Sequence, residues 1–206
     1  MYMRHHKLIA SLPLFLLVVA CSEAPKTETA VKKEAEKPPE AVSAKTAVEK
    51  MFIQARAWSP DLKLLRVGDL DMKEIKSKDG MAGAWQCTFV SESRGVAKTY
   101  TYAVMDGSGM TKGVSSTPEE PWNPGGQAKP FPIQSLKVDA ADAYKTAMTR
   151  GEEYSKKHPE IPVKFLLEWT RYENPAWRVF WGESVAMSGY SIYIDSITGA
   201  PLSIQH

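Results

Sequence analysis

The sequence predicts an α+β fold made of two tandem units, each a helix followed by an antiparallel sheet. Three observations carry this. Two stretches, near residues 43–58 and 139–154, place apolar residues at helical spacing behind a capping side chain. Each stretch is followed by four short strand-like runs separated by turn residues. The landmarks of the two series also agree: Ala84-Trp85 opens a strand in the first and Ala176-Trp177 opens its counterpart in the second. A helix has one apolar stripe and an antiparallel sheet can leave one face to water, so helix on sheet is the packing this order permits.

In the first unit Ser43 caps a helix whose inner face is Val48, Met51, Phe52, Ala55 and Trp58, and Ser59-Pro60 stops it. Strands are expected over 62–70, 84–91, 96–105 and 110–115. Gly80-Met81-Ala82-Gly83, Arg94-Gly95 and Asp106-Gly107-Ser108-Gly109 read as turns. In the second unit Asp139 caps, and Asp142 suits the positive helix end. Ala140, Tyr144, Ala147, Met148, Gly151 and Tyr154 form the stripe, and His158-Pro159 ends it. Strands follow over 163–172, 176–181, 190–195 and 201–204, with turns at Glu173-Asn174-Pro175 and Ser196-Ile197-Thr198-Gly199. Superposition of the units is expected to bring Trp85 onto Trp177 and Ala55 near Ala147. The link over 116–134 is rich in Pro and Gly and reads as a loop without structure of its own, the kind that often serves as a contact or a hinge.

Ahead of these units the chain has the parts of a secretory signal. Arg4, His5, His6 and Lys7 precede an apolar run over 8–19 that is too short to span a bilayer as a helix, which takes ~20 residues. Residues 22–42 are mostly Glu, Lys, Ala, Thr and Pro. Such a segment cannot bury enough surface to offset its ordering entropy, so a disordered spacer is expected. The organisation is thus signal 1–20, Cys21 and spacer 21–42, first unit 43–115, linker 116–134 and second unit 135–206.

Composition excludes several classes. Removing 1–20 takes away Arg4 and Lys7 and no acid, so the 26 basic side chains fall to 24 against 24 acids. A balanced chain gives no footing for nucleic acid. Of two cysteines, Cys21 sits at the signal boundary, leaving Cys87 with no partner for an intramolecular disulfide.

Two resemblances sharpen this reading. Val18-Val19-Ala20-Cys21 resembles the lipobox of bacterial lipoproteins. That implies cleavage after Ala20 and lipid on Cys21, hence membrane attachment in a bacterial cell envelope, since two or three acyl chains anchor stably where one is marginal. Ser22 after the Cys, in place of Asp, leans toward the outer membrane. WRVFWGES…GYSIYIDSITGAPLSI is similar to the end of a PepSY domain, through Trp177, Val179, Tyr193, Asp195, Thr198 and Gly199. The first unit matches more loosely, because Asp106 to Gly109 lacks the Thr-Gly. The resemblance implies exported proteins without catalytic residues of their own that bind or restrain peptidases.

The residues themselves offer little chemistry. Past the signal only His158 and His206 remain, with no HExxH, CxxC or paired-His spacing for a metal, and no cofactor motif. Cys87 lies on one strand face with Trp85 and Phe89 and reads as a small buried hydrophobe. Glu168, Glu173, Glu183 and Asp195 are the carboxylates available for an acid pair, but Glu168 lies opposite the apolar face of its strand and Asp195 reads as a turn residue. Aromatic side chains are the remaining signal. Trp177-Val179-Trp181 and Arg178-Phe180 put large groups on both faces of one strand, and one helix covers only one face. Arg178 and Phe180, with Trp122 in the polar linker as the most exposed aromatic, are therefore the candidate partner-binding residues. The sequence points to a non-catalytic, lipid-anchored protein that binds a protein or peptide. The alternatives are a carbohydrate- or peptidoglycan-binding module using exposed Trp, and an envelope hydrolase with carboxylate catalysis. Oligomeric state is left open.

Overall fold

A computed structural model describes residues 39–206; the signal, Cys21 and most of the spacer lie outside the described residues. The elements run β1 (Val42–Ser43), α1 (Ala44–Trp58), β2 (Lys63–Leu70), β3 (Met81–Ala82), β4 (Ala84–Ser91), β5 (Val96–Ala103), β6 (Gly113–Ser116) and β7 (Glu120–Pro121). After a 3₁₀ turn at Ile133–Ser135 come α2 (Ala140–Lys157), β8 (Val163–Glu168), β9 (Ala176–Trp181), β10 (Tyr190–Asp195) and β11 (Pro201–Gln205), with a second 3₁₀ turn at Val185–Met187. The α+β expectation holds.

Both helix starts follow from their caps. Ser43 Oγ accepts from the Thr46 N–H and Asp139 from the Ala140 N–H, each with extended backbone at the cap. Counted from these caps, Ala55 corresponds to Gly151 and Met51 to Ala147, so the pairing of Ala55 with Ala147 expected from the stripes is one helical turn out.

The sheets of the two units are one sheet. Its order is β11-β10-β9-β8-β2-β4-β5-β6, with β7 added beside β5, and every pairing is antiparallel. The order reads the same from either end: each unit contributes its strands in sequence outward from a central seam. That seam is the β2–β8 pairing, Arg66↔Glu168, Val67↔Leu167 and Gly68↔Leu166. α1 packs on β4 and β5 and α2 on β9 and β10, and both contribute to one continuous core with Trp85, Trp177 and Trp181 at its centre. The helix starts touch, the Lys45 N–H lying 3.3 Å from Asp139 Oδ1.

Register explains which residues enter that core. Trp85, Cys87 and Phe89 alternate inward on β4, and Trp177, Val179 and Trp181 on β9; all six are fully buried. A bulge between Leu64 and Arg66 resets β2, so that Leu64 and Val67 both face the helices while Arg66 faces the other way.

Three local expectations are corrected. Met81-Ala82, read as part of a turn, pairs as β3 with β1; the reversal is tighter and earlier, at Asp79 and Gly80, whose φ values are 52° and 81°. The 116–134 link is not structureless. β7 joins the sheet, and Phe131 is fully buried and exchanges backbone hydrogen bonds with Leu64 at 2.7 and 2.8 Å. The strand expected over 163–172 stops at Glu168, because the Trp169 indole N–H turns back to the Tyr172 carbonyl at 3.0 Å.

Candidate functional site: a groove on the open face of the sheet

Two helices on one face leave the other face uncovered. Alternation and register put a row of eight residues across it, one per strand: Ser203, Tyr193, Arg178, Leu166, Gly68, Gln86, Thr101 and Ser115. Gly68 stands at the seam. With no side chain it makes the low point of the row, and a Cβ built there meets nothing closer than the Phe165 carbonyl oxygen at 3.5 Å. The neighbouring row carries Ala176, Glu168, Arg66 and Thr88.

The depression around Gly68 extends both ways. On the second-unit side a recess of about 660 Å³ is lined by Arg66, Leu166, Glu168, Arg171, Arg178, Tyr193 and Val185. Toward the first unit a recess of about 390 Å³ shares Arg66, Leu166 and Val185 and adds Gly68, Gln86, Thr88 and Phe180. A third, of about 280 Å³, shares Arg66 and Glu168 and is walled by Trp122, Asn123 and Gln127 of the linker. The shared lining makes these one groove across the seam, with Arg66 at its centre.

All three candidate residues from the sequence border this groove. Arg178 is half-buried; its Nε donates to Ser191 Oγ at 3.0 Å and its Nη2 to Ser188 Oγ at 2.9 Å. Phe180 is 4% exposed, because the chain covers it: Arg178 lies 5.8 Å from its ring centroid and Val185 lines the same recess. It shapes the wall and offers little surface. Trp122 is half-buried, and its backbone N–H donates to the Gly95 carbonyl at 2.8 Å. Among the described residues the large apolar side chains most open to water are Ile53 and Met187, each 72% exposed.

Of the carboxylates singled out in the sequence, Glu168 and Asp195 are committed to partners, and Glu183 lines the recess beside Phe180. Glu168 binds Arg66 at 2.5 Å. Burial opposes the charge of Asp195, but the Asn174 side chain and the N–H groups of Thr198 and Ile197 outweigh it and hold its carboxyl below the ordinary range. Glu173 and Glu183 are exposed. Among the described residues no group of His, Cys, Asp and Glu is arranged to hold a metal ion, and no helix is long and apolar enough to cross a membrane. His158 caps the end of α2 and packs on Tyr154, 4.5 Å between ring centroids.

The sequence did not single out Asp69. Pairing of β2 with β8 ends at Gly68, and at the next position the Asp69 carboxylate takes the place of the ladder, accepting the Phe165 N–H at 2.7 Å. Its Oδ2 is out of contact with water and has no hydrogen-bond partner, although the residue as a whole is only half-buried. Burial pushes its pKa up to about 6, against the Phe165 N–H and the Lys164 charge. Lys164, itself buried, is held by Asp71 at 2.5 Å. The signal available was an acid on the strand face that otherwise carries Leu64 and Val67.

The chain matches no protein-family model and no curated protein. Among solved structures it is similar to a crystal structure from Clostridium difficile 630 described as a "putative lipoprotein". The two share 12% sequence identity and superpose with a TM-score of 0.50, over 77% of this chain and 91% of that one. The likeness is one of fold.

Proposed function

We propose that this is a lipid-anchored protein of the bacterial cell envelope that binds a protein or peptide without catalysis, in the groove on its open sheet face. The anchoring part is supported by the apolar run ending in Val18-Val19-Ala20-Cys21 and by a shared fold with a protein described as a "putative lipoprotein". The PepSY-like reading rests on Trp177, Val179, Tyr193, Asp195, Thr198 and Gly199, and a role in restraining a peptidase would follow from it.

The observation that carries the binding part is the groove at Gly68. Both units contribute to it, the linker walls it through Trp122, and its lining mixes guanidinium, aromatic and aliphatic groups, as partner-binding surfaces do. The Trp side chains near it are half-buried or buried, which disfavours a sugar platform. Gly68→Val tests it. A strand accepts Val, and a Cβ at Gly68 makes only ordinary contacts, so the folding midpoint should stay close to wild type while the groove fills. Capture of partners from detergent-solubilised envelopes should fall with Gly68→Val and with Trp122→Ala. Undiminished capture by both variants places binding elsewhere, and turnover of peptide or glycan by the purified protein ends the non-catalytic reading. Mass spectrometry of the native protein should find lipid on an N-terminal Cys21.

A further inference from the structure

One part of the groove carries charge that no acid among the described residues answers. Arg171 and Arg178 converge on a single ring, their Cζ atoms 4.6 and 5.6 Å from the Tyr193 centroid. Arg171 also lies 5.1 Å from the Tyr172 ring. These rings and the hydroxyls of Ser188 and Ser191 hold the two guanidiniums in place but do not neutralise them. Among the described residues neither makes an ion pair. The acid lining this recess is Glu168, and it is taken by Arg66. Three arginines against one carboxylate leave the recess positive, in a chain whose charges otherwise balance past the signal.

We infer that Arg171 and Arg178, gathered at Tyr193, form a carboxylate-recognition site for a Glu or Asp side chain, or a free C-terminus, of a peptide bound in the groove. This rests on the peptide-binding reading above and specifies its ligand. Each guanidinium carries five N–H groups in a planar fork that matches a carboxylate, and Arg178 is shown giving two of its own to serines. Both line the recess beside Leu166, Ala176 and Val185, Arg178 half-buried and Arg171 exposed. A concave, partly apolar lining suits a peptide side chain better than a flat bilayer surface or a bare inorganic anion.

The test uses the full chain in detergent and two end-blocked random hexapeptide pools, one with Glu fixed at a central position and one with Gln there. The Glu pool should be retained about tenfold better, as a charge-assisted contact implies. Arg178→Gln and Arg171→Gln should each abolish that preference, the two pools then being retained equally. Lys156→Gln, on the exposed side of α2, should preserve it. If Arg178→Gln lowers the folding midpoint, the exposed Arg171→Gln carries the comparison. Equal retention of the two pools overturns the carboxylate site and leaves peptide binding standing. Retention of neither pool overturns both. Displacement of the Glu pool by inorganic phosphate at equal concentration reassigns the pair to a small anion and overturns the proposal.

Discussion

Trp85 and Trp177 meet edge to face across the middle of the molecule, 6.4 Å between ring centroids at an interplanar angle of 70°. Each is the second residue of its strand, and each donates its indole N–H to the carbonyl just ahead of a helix cap: Trp85 to Val42 at 2.9 Å, Trp177 to Val138 at 2.8 Å. One residue type in each unit thus ties strand to helix and unit to unit. Trp177→Phe keeps a ring but leaves the part-buried Val138 carbonyl without its indole donor, and should cost about 1–3 kcal/mol. Trp177→Ala should cost about 3–5 kcal/mol. In urea denaturation the double variant Trp85→Leu/Trp177→Leu, which removes both rings, should fall short of the sum of its singles by roughly 0.5–1.5 kcal/mol, the part due to the shared ring contact.

Gly151 sits in the interior of α2, where replacement by Ala ordinarily gains about 1 kcal/mol. Here a Cβ would lie 2.5 Å from Cη2 and 2.8 Å from Cζ2 of Trp181, a fully buried ring. Gly151→Ala should therefore destabilise, by about 1–3 kcal/mol. Adding Trp181→Phe, which shortens the opposing ring, should recover part of the loss that Gly151→Ala causes in that background.

Asp69 gives the fold an unusual pH dependence. Its pKa stands near 6 because burial disfavours the charge, against an ordinary value of 3.8. Between those two values the native protein keeps a proton that the unfolded chain has released. The stability this group contributes is therefore fullest below the ordinary value and falls as pH rises toward 6. Asp69→Asn keeps the acceptor for the Phe165 N–H and removes the charge. At pH 7 it should be more stable than wild type by about 1–2 kcal/mol, with the advantage shrinking as pH falls to 4. Asp61 behaves oppositely, held well below the ordinary range by the Ser59 and Ser91 hydroxyls and the Ser93 N–H. It is present in both proteins and cancels in the difference.

Cys87 is fully buried between Trp85 and Phe89, and burial pushes its thiol well above the usual range. A thiol reagent should leave the native protein unmodified at neutral pH and react only as fast as the chain unfolds. Rapid labelling without denaturant would show that β4 opens locally.

The local part of this structure was legible in sequence, and the non-local part was not. The caps Ser43 and Asp139 and the full extents of β4, β9 and β10 follow from spacing and turn residues within a dozen positions. The joining of β2 to β8 depends on partners about a hundred residues apart, which no window contains. Phe131 shows the same limit: in a stretch of Pro and Gly it reads as loop, yet its burial is decided by Leu64. Asp69 escaped notice because its environment arises from where β2 and β8 part. Arg178 was found through the face it occupies, whereas Arg171 and Tyr193 gain their meaning only from the rings and charges brought beside them.

The seam also orders events in time. Within each half, every sheet pairing from β2 to β6 or from β8 to β11 links neighbours in sequence or nearly so, while Arg66 and Glu168 stand 102 positions apart. Local pairings form early and distant ones late, since the chain between them must first be gathered in. Closing so long a span costs little more than closing half of it, because the entropy of loop closure grows only with the logarithm of length. Each half is thus built to assemble on its own schedule. The pairing of Gly68 with Leu166, which lays down the floor of the groove, is then expected among the last contacts to form, so that the groove is completed only when both halves have folded.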